Sequence, residues 1–269
     1  SLFVRIQFLM FALSALAVDD SDGSWLGCRE ITAFTNSSNI STKGVHRTSF
    51  NGIPVVVKSR RDDWHGASLK RGIPFYKSLR EHPHIVRSFG WCNETLTIVQ
   101  EELFRIPWHD KKINLDWRVG VQCALDIARS LQAADSVGFI LCDFAGAQWM
   151  QGYVPSLSRN VIKLQDMDQG PCSGLIGNRD EADQFRETVP KEIRLKKERH
   201  VWYMPEILRR CTKVAIRESE YSGMLQSFLS NMRDEWRSKD YSSTSERATL
   251  EAVIDDLSAF LHSEGKREL

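Results

Sequence analysis

The chain has 269 residues, 36 Lys plus Arg against 35 Asp plus Glu, and 42% apolar residues, which allows one large domain or two lobes and excludes a disordered or fibrous chain. A formal charge of +1 without a basic stripe excludes a general electrostatic drive toward nucleic acid or an acidic membrane. Six cysteines, Cys28, Cys92, Cys123, Cys142, Cys172 and Cys211, form no CxxC pair, which argues against a zinc knuckle or a redox dithiol.

In chain order, the first feature is the apolar run Phe8 to Val18, ending in Ala15-Leu16-Ala17. It is short for a hydrocarbon core of about 30 Å and carries the small-x-small pattern of a signal-peptidase site. Residues 1–17 are therefore predicted to be a secretory signal peptide, and no membrane anchor is expected after its removal. The sequons Asn36-Ser37-Ser38, Asn39-Ile40-Ser41 and Asn93-Glu94-Thr95 agree with export. The tail Lys266-Arg267-Glu268-Leu269 fits either a KDEL-type retrieval address or a charged end. In a lumen the cysteines can pair, and the sequence leaves the connectivity open.

Val45 to Phe50 and Ile53 to Lys58 flank Asn51-Gly52, a strong hairpin signal because both turn positions need positive φ. A second hairpin is expected from Ile85 to Trp91 and Thr95 to Gln100. Between them Ala67 to Arg80 reads as a helix kinked or shortened by Gly72 and Pro74. From Leu115 the period becomes helical: Asn114 is the expected cap, and Trp117, Val121, Ala124, Leu125, Ala128 and Leu131 form one apolar stripe. Phe139 to Leu141 and Val161 to Leu164 are expected to be two short strands separated by a loop. The remainder from Asp180 reads as mainly helical, with Trp202 and Trp236 as anchors and a last amphipathic helix through Leu250, Val253, Leu257 and Leu261.

That order of elements is the order found in a protein kinase, and the diagnostic points carry suitable residues. Val55-Val56-Val57-Lys58 resembles the V-A-I-K strand, which makes Lys58 the candidate clamp for the ATP phosphates. Leu141-Cys142-Asp143-Phe144 stands where H-R-D-L belongs, so Asp143 is the candidate catalytic base. Gln148 stands where that pattern places a metal-binding Asn. Gln165-Asp166-Met167-Asp168 stands at the D-F-G position, with Asp166 as the expected metal ligand and Asp168 as a second carboxylate.

With His82-Pro83-His84-Ile85-Val86, Gly90-Trp91-Cys92 and Val201-Trp202 added, the chain from about Lys43 to about Leu261 resembles the divergent protein kinases of the secretory pathway, such as vertebrate lonesome kinase and protein O-mannose kinase. The resemblance implies an α+β, protein-kinase-like two-lobed fold with a small antiparallel β N-lobe and a mainly helical C-lobe. The expected division is 1–17 signal peptide, 18–30 N-terminal segment, 31–104 N-lobe and 105–269 C-lobe. It also implies ATP with Mg or Mn as cofactors, a protein or glycoprotein substrate in the secretory pathway, no nucleic-acid partner, and location in the endoplasmic reticulum or Golgi lumen or outside the cell. The expected activity is transfer of the ATP γ-phosphoryl group to a protein or protein-linked glycan hydroxyl.

Two departures, in the loop and in the helix between the hairpins, support an alternative, a pseudokinase acting as a binding or scaffold module, and a third touches support rather than the phosphate site. Phe34 to Thr42 has no glycine where a Gly-rich loop is expected. Leu69 to Leu79 has no Glu to pair with Lys58, leaving Glu81, Asp62 or Asp63 as substitutes. His200 stands where the C-lobe anchor helix of the resemblance has an Asp.

Overall fold

The structure, a computed structural model, describes residues 25–37, 44–59, 63–106, 116–141, 144, 148–167, 198–218, 222–236 and 249–265. The expected signal peptide, the Asn39 sequon, the Asn114 cap, Asp143, Asp168, Cys142, Cys172 and the C-terminal tetrapeptide lie outside the described residues.

The fold is mixed α+β. A first helix, α1 (Cys28–Ser37), precedes strands β1 (Gly44–Phe50) and β2 (Ile53–Ser59). These strands pair antiparallel from Phe50↔Ile53 to Gly44↔Ser59. Asn51 and Gly52 have φ of 50° and 79°, the two left-handed positions that the Asn-Gly signal requires. Helix α2 (Asp63–Ser78) then leads to β3 (Ser88–Cys92) and β4 (Thr97–Glu101). The four strands lie in the order β1-β2-β4-β3, all neighbours antiparallel.

α2 is not cut short at Gly72 or Pro74 and continues to Ser78, because Leu69 and Tyr76 on its inner face are 1% and 0% exposed, and their packing outweighs the local propensity penalty. One boundary is corrected. The second hairpin begins at Ser88 rather than Ile85, because the preceding residues pair elsewhere. The Val86 N–H donates to the Leu164 carbonyl at 3.0 Å, and the Leu164 N–H donates to the His84 carbonyl at 2.9 Å.

Helix α3 (Trp117–Ser136) is capped by Asp116, whose carboxylate accepts the Arg118 N–H at 3.0 Å. The whole predicted stripe from Trp117 to Leu131 is buried. After α3 the predicted strand Phe139 to Leu141 does not form: Phe139 and Leu141 are buried, Ile140 is half-buried, and the Phe139 N–H returns to the Ala134 carbonyl at 2.9 Å. The strands are instead β5 (Trp149–Val154) and β6 (Arg159–Leu164), an antiparallel hairpin closed by a 3-10 turn at Pro155–Leu157. Trp149 at the start of β5 is buried, in a strand that the sequence pattern does not predict.

Three helices complete the described chain: α4 (Glu198–Glu218), α5 (Ser222–Trp236) and α6 (Leu250–Gly265). α4 and α6 pack on α3, and Gly120 permits the first approach: a Cβ there would lie 2.6 Å from the Cys211 carbonyl oxygen. Trp202 is partly buried against this core, whereas the side chain of Trp236 lies outside the described set. A second, smaller cluster of Ile31, Val55, Val57, Phe89, Cys92 and Val99 seals α1 against the sheet, and the Cys28–Cys92 disulfide lies beside it. Cys123 and Cys211 are free thiols. Among the described residues, no helix is long and apolar enough to cross a membrane.

Candidate active site

Lys58 is the penultimate residue of β2, opposite Val45 on β1 and Ile98 on β4. Directly paired residues share one face of a sheet, and Ile98 belongs to the core that contains Leu69 and Tyr76 of α2. Lys58 is thus half-buried on the sheet face turned toward α2, while Val55 and Val57 point to the α1 side. Of its expected acidic partners, Glu81 is 73% exposed and pairs with Arg80 at 3.2 Å; the side chains of Asp62 and Asp63 lie outside the described set.

Gln148 and Asp166 leave the same open end of the β5–β6 hairpin. The last rung is Trp149↔Leu164, and one step beyond it the Gln165 N–H donates to the Gln148 carbonyl at 2.9 Å. Tyr76 then fixes the next turn: its hydroxyl donates to the Gln165 carbonyl at 3.1 Å and accepts the Met167 N–H at 2.7 Å. Both peptide flanks of Asp166 are therefore tied to one fully buried α2 side chain. Gln148 Oε1 and Asp166 Oδ1 are shut off from solvent, and an amide oxygen with a carboxylate is the hard-oxygen set that suits Mg²⁺ or Mn²⁺.

Asp143 and Asp168 lie outside the described residues, but the neighbours of Asp143 are held by α4. The Leu141 N–H donates to His200 Nε2 at 2.9 Å. An imidazole nitrogen that accepts is unprotonated, so the ring proton sits on Nδ1. That nitrogen lies 2.7 Å from Asp135 Oδ1 without hydrogen-bond alignment, making the contact mainly electrostatic. On the other side, Phe144 stacks on Tyr203 with centroids 3.9 Å apart, and the Arg199 guanidinium lies 5.2 Å over the Tyr203 ring. His200, expected in place of an anchoring Asp, thus reaches the segment that leads to Asp143.

Two buried polar groups escaped the sequence reading. Lys163 Nζ lies 2.6 Å from Glu101 Oε1, which also accepts the Arg87 N–H at 2.6 Å; this pair joins β4 to β6. Asp126, 2% exposed in the middle of α3, accepts two Arg159 bonds at 2.7 and 2.8 Å, the Ile162 N–H at 3.2 Å and a Gln122 amide at 3.0 Å. The bond to Asp126 raises the Arg159 pKa. His84 Nδ1 is 3.9 Å from Asp126 Oδ1, yet burial pulls its pKa down to about 4 and prevails over that carboxylate. Burial pushes the Cys123 thiol up to about 12 and raises Cys211 as well, so neither is an activated nucleophile. The partners are 62 residues apart for Lys163–Glu101 and 33 for Arg159–Asp126, beyond any local spacing rule.

Phe34 to Ser37, the start of the segment compared with a Gly-rich loop, form the last turn of α1. Leu26 just before that helix joins the edge of β3, its N–H donating to the Phe89 carbonyl at 2.8 Å and its carbonyl accepting the Trp91 N–H at 3.1 Å. No protein-family model matches the chain, and no curated protein matches it in sequence.

Proposed function

We propose that the chain is a divergent phosphotransferase with a two-lobed, protein-kinase-like fold, transferring the ATP γ-phosphoryl group to a hydroxyl of a protein or protein-linked glycan. The observation that carries the reading is the emergence of Gln148 and Asp166 from one hairpin end, with Asp166 fixed through Tyr76 to the helix that faces Lys58. Lys58 would hold the nucleotide phosphates, and Asp143 would accept the proton of the attacking hydroxyl. Gln148, Asp166 and Asp168 would hold Mg²⁺ or Mn²⁺, which neutralises phosphate charge when bound. Phosphoryl transfer asks the protein mainly for positioning and charge, and these residues offer both. The disulfide and the exposed Asn93 sequon in the β3–β4 turn support an oxidising compartment, the endoplasmic reticulum or Golgi lumen or the exterior.

A pseudokinase is the second reading. It is favoured by the helical α1 in place of a Gly-rich strand and by Glu81 pairing with Arg80 at the surface. One experiment separates the two: the mature chain from a secretory host, incubated with γ-labelled ATP, Mg²⁺ or Mn²⁺ and a secretory-protein fraction. Label transfer that falls about a hundredfold or more in Asp143→Asn supports the enzyme. Equal transfer by wild type and variant removes it, and ATP-dependent thermal stabilisation without transfer identifies the pseudokinase.

A further inference from the structure

The turn between β3 and β4 carries a motif that the phosphate site does not use. Asn93 to Leu96 connect Cys92 to Thr97, the outermost rung of that strand pair. Asn93 and Glu94 are exposed, and Thr95 beside them is half-buried. Leu96, with φ of 48°, turns the chain back, and the Thr97 hydroxyl donates to the Thr95 carbonyl at 3.1 Å. The turn is thus held through its backbone, and the Asn93 amide and the Thr95 hydroxyl make no hydrogen bond among the described residues.

An N-x-T acceptor needs its amide and its hydroxyl on one side of the chain and open to a large enzyme. The sequons differ in this respect. Asn36 sits in the last turn of α1, and in a helix residues two apart do not face each other. The Thr35 and Ser37 hydroxyls donate back to the Thr32 and Phe34 carbonyls there, which keeps that turn helical. Asn93 instead stands at a hairpin tip whose base is anchored, because Cys92 is 0% exposed and bonded to Cys28. A bulky hydrophilic group is carried at such a tip without disturbing a packed face.

We propose that Asn93 carries an N-linked glycan and that Asn36 does not. In the transfer, the Asn93 amide nitrogen forms a bond to C1 of the first sugar of a polyprenyl-diphosphate-linked oligosaccharide. The bond from C1 to the diphosphate oxygen breaks, the diphosphate leaves with its polyprenyl chain, and the amide gives up one proton. Donor and transferase belong to the lumen, so the inference rests on the secretory reading. It adds a position to that reading: the turn lies beyond the Ser59↔Thr97 rung, at the end of the sheet where β2 finishes. The glycan covers that end, and a protein partner approaches from elsewhere.

The test produces two forms of the full chain in a eukaryotic secretory host, one with its own N-terminus and one with residues 1–17 exchanged for a leader known to direct export. Peptide-N-glycosidase converts a glycosylated Asn to Asp, which peptide mass spectrometry locates. With the exchanged leader, conversion of Asn93 and not of Asn36 is expected, together with a gel mobility step that is lost in Asn93→Gln and in Thr95→Val and kept in Thr95→Ser. Thr95→Val repeats the test should Asn93→Gln fold poorly, and melting curves establish that each variant is folded. Unconverted Asn93 in the chain exported by the exchanged leader overturns the inference, and so does conversion of Asn36. Conversion of Asn93 with the exchanged leader but not with the chain's own N-terminus supports the acceptor and removes the secretory reading instead.

Discussion

His84 is a base that the fold keeps uncharged. Burial sets its pKa near 4, below its ordinary 6.5, despite Asp126 at 3.9 Å. Between those two values the unfolded chain binds a proton that the folded chain refuses, so stability is complete above about pH 6.5 and falls as the pH drops toward 4. Below that the loss levels off at about 3 kcal/mol, because both states are protonated. His82 is also lowered by burial and acts in the same window, so the informative quantity is a difference between proteins. Urea denaturation at pH 7.5 and pH 5 is expected to show wild type losing about 2 kcal/mol more than His84→Asn. Equal losses would remove His84 as the cause. At this scale the sequence pointed to Lys58, Gln148 and Asp166 because each sits at a fixed offset from a turn or strand. His84 and Asp126 stayed hidden: Asp126 lies among Ala124, Leu125 and Ala128, and apart from Gln122 its hydrogen-bond donors, Arg159 and Ile162, belong to the distant strand β6.

Elements were legible where local chemistry decides them. Asn51-Gly52 specified a hairpin by backbone sterics alone, and the apolar stripe of α3 specified its buried face. Phe139 to Leu141 misled, since three apolar residues need a partner strand to become a strand, and the partners went to β5 and β6. The path of α2 through Pro74 was equally non-local, decided by what Leu69 and Tyr76 bury against. Tyr76 also supplies this helix's polar hold on the site, through its two bonds around Asp166. Tyr76→Phe keeps the ring and removes both bonds, leaving the Gln165 carbonyl and the buried Met167 N–H without that partner. A stability loss of about 1–3 kcal/mol is expected, together with faster amide exchange at Met167. Unchanged exchange there would show that the turn holds itself. If Asp166 binds metal as proposed, weaker Mg²⁺-dependent ATP binding accompanies the loss.

For the whole molecule, the cross-link that matters runs from the first residue of α1 to the last residue of β3. Cys28 and Cys92 have Cα atoms 4.3 Å apart and close a sequence separation of 64. In the chain-entropy description a loop of that size restricts the unfolded chain enough to stabilise the fold by about 4 kcal/mol. The bond also keeps Ile31 pressed on Val55, Val57 and Val99, so its loss bears on the sheet that carries Lys58. Dithiothreitol is therefore expected to lower the urea midpoint of wild type by an amount near that energy, while the double variant Cys28→Ser, Cys92→Ser starts low and does not respond. A wild-type midpoint indifferent to reductant would mean that α1 is held by its apolar contacts alone. The same comparison bears on location: a fold that needs this bond is stable in an oxidising lumen and marginal in a reducing cytosol, so production in the two compartments should differ as the two midpoints do.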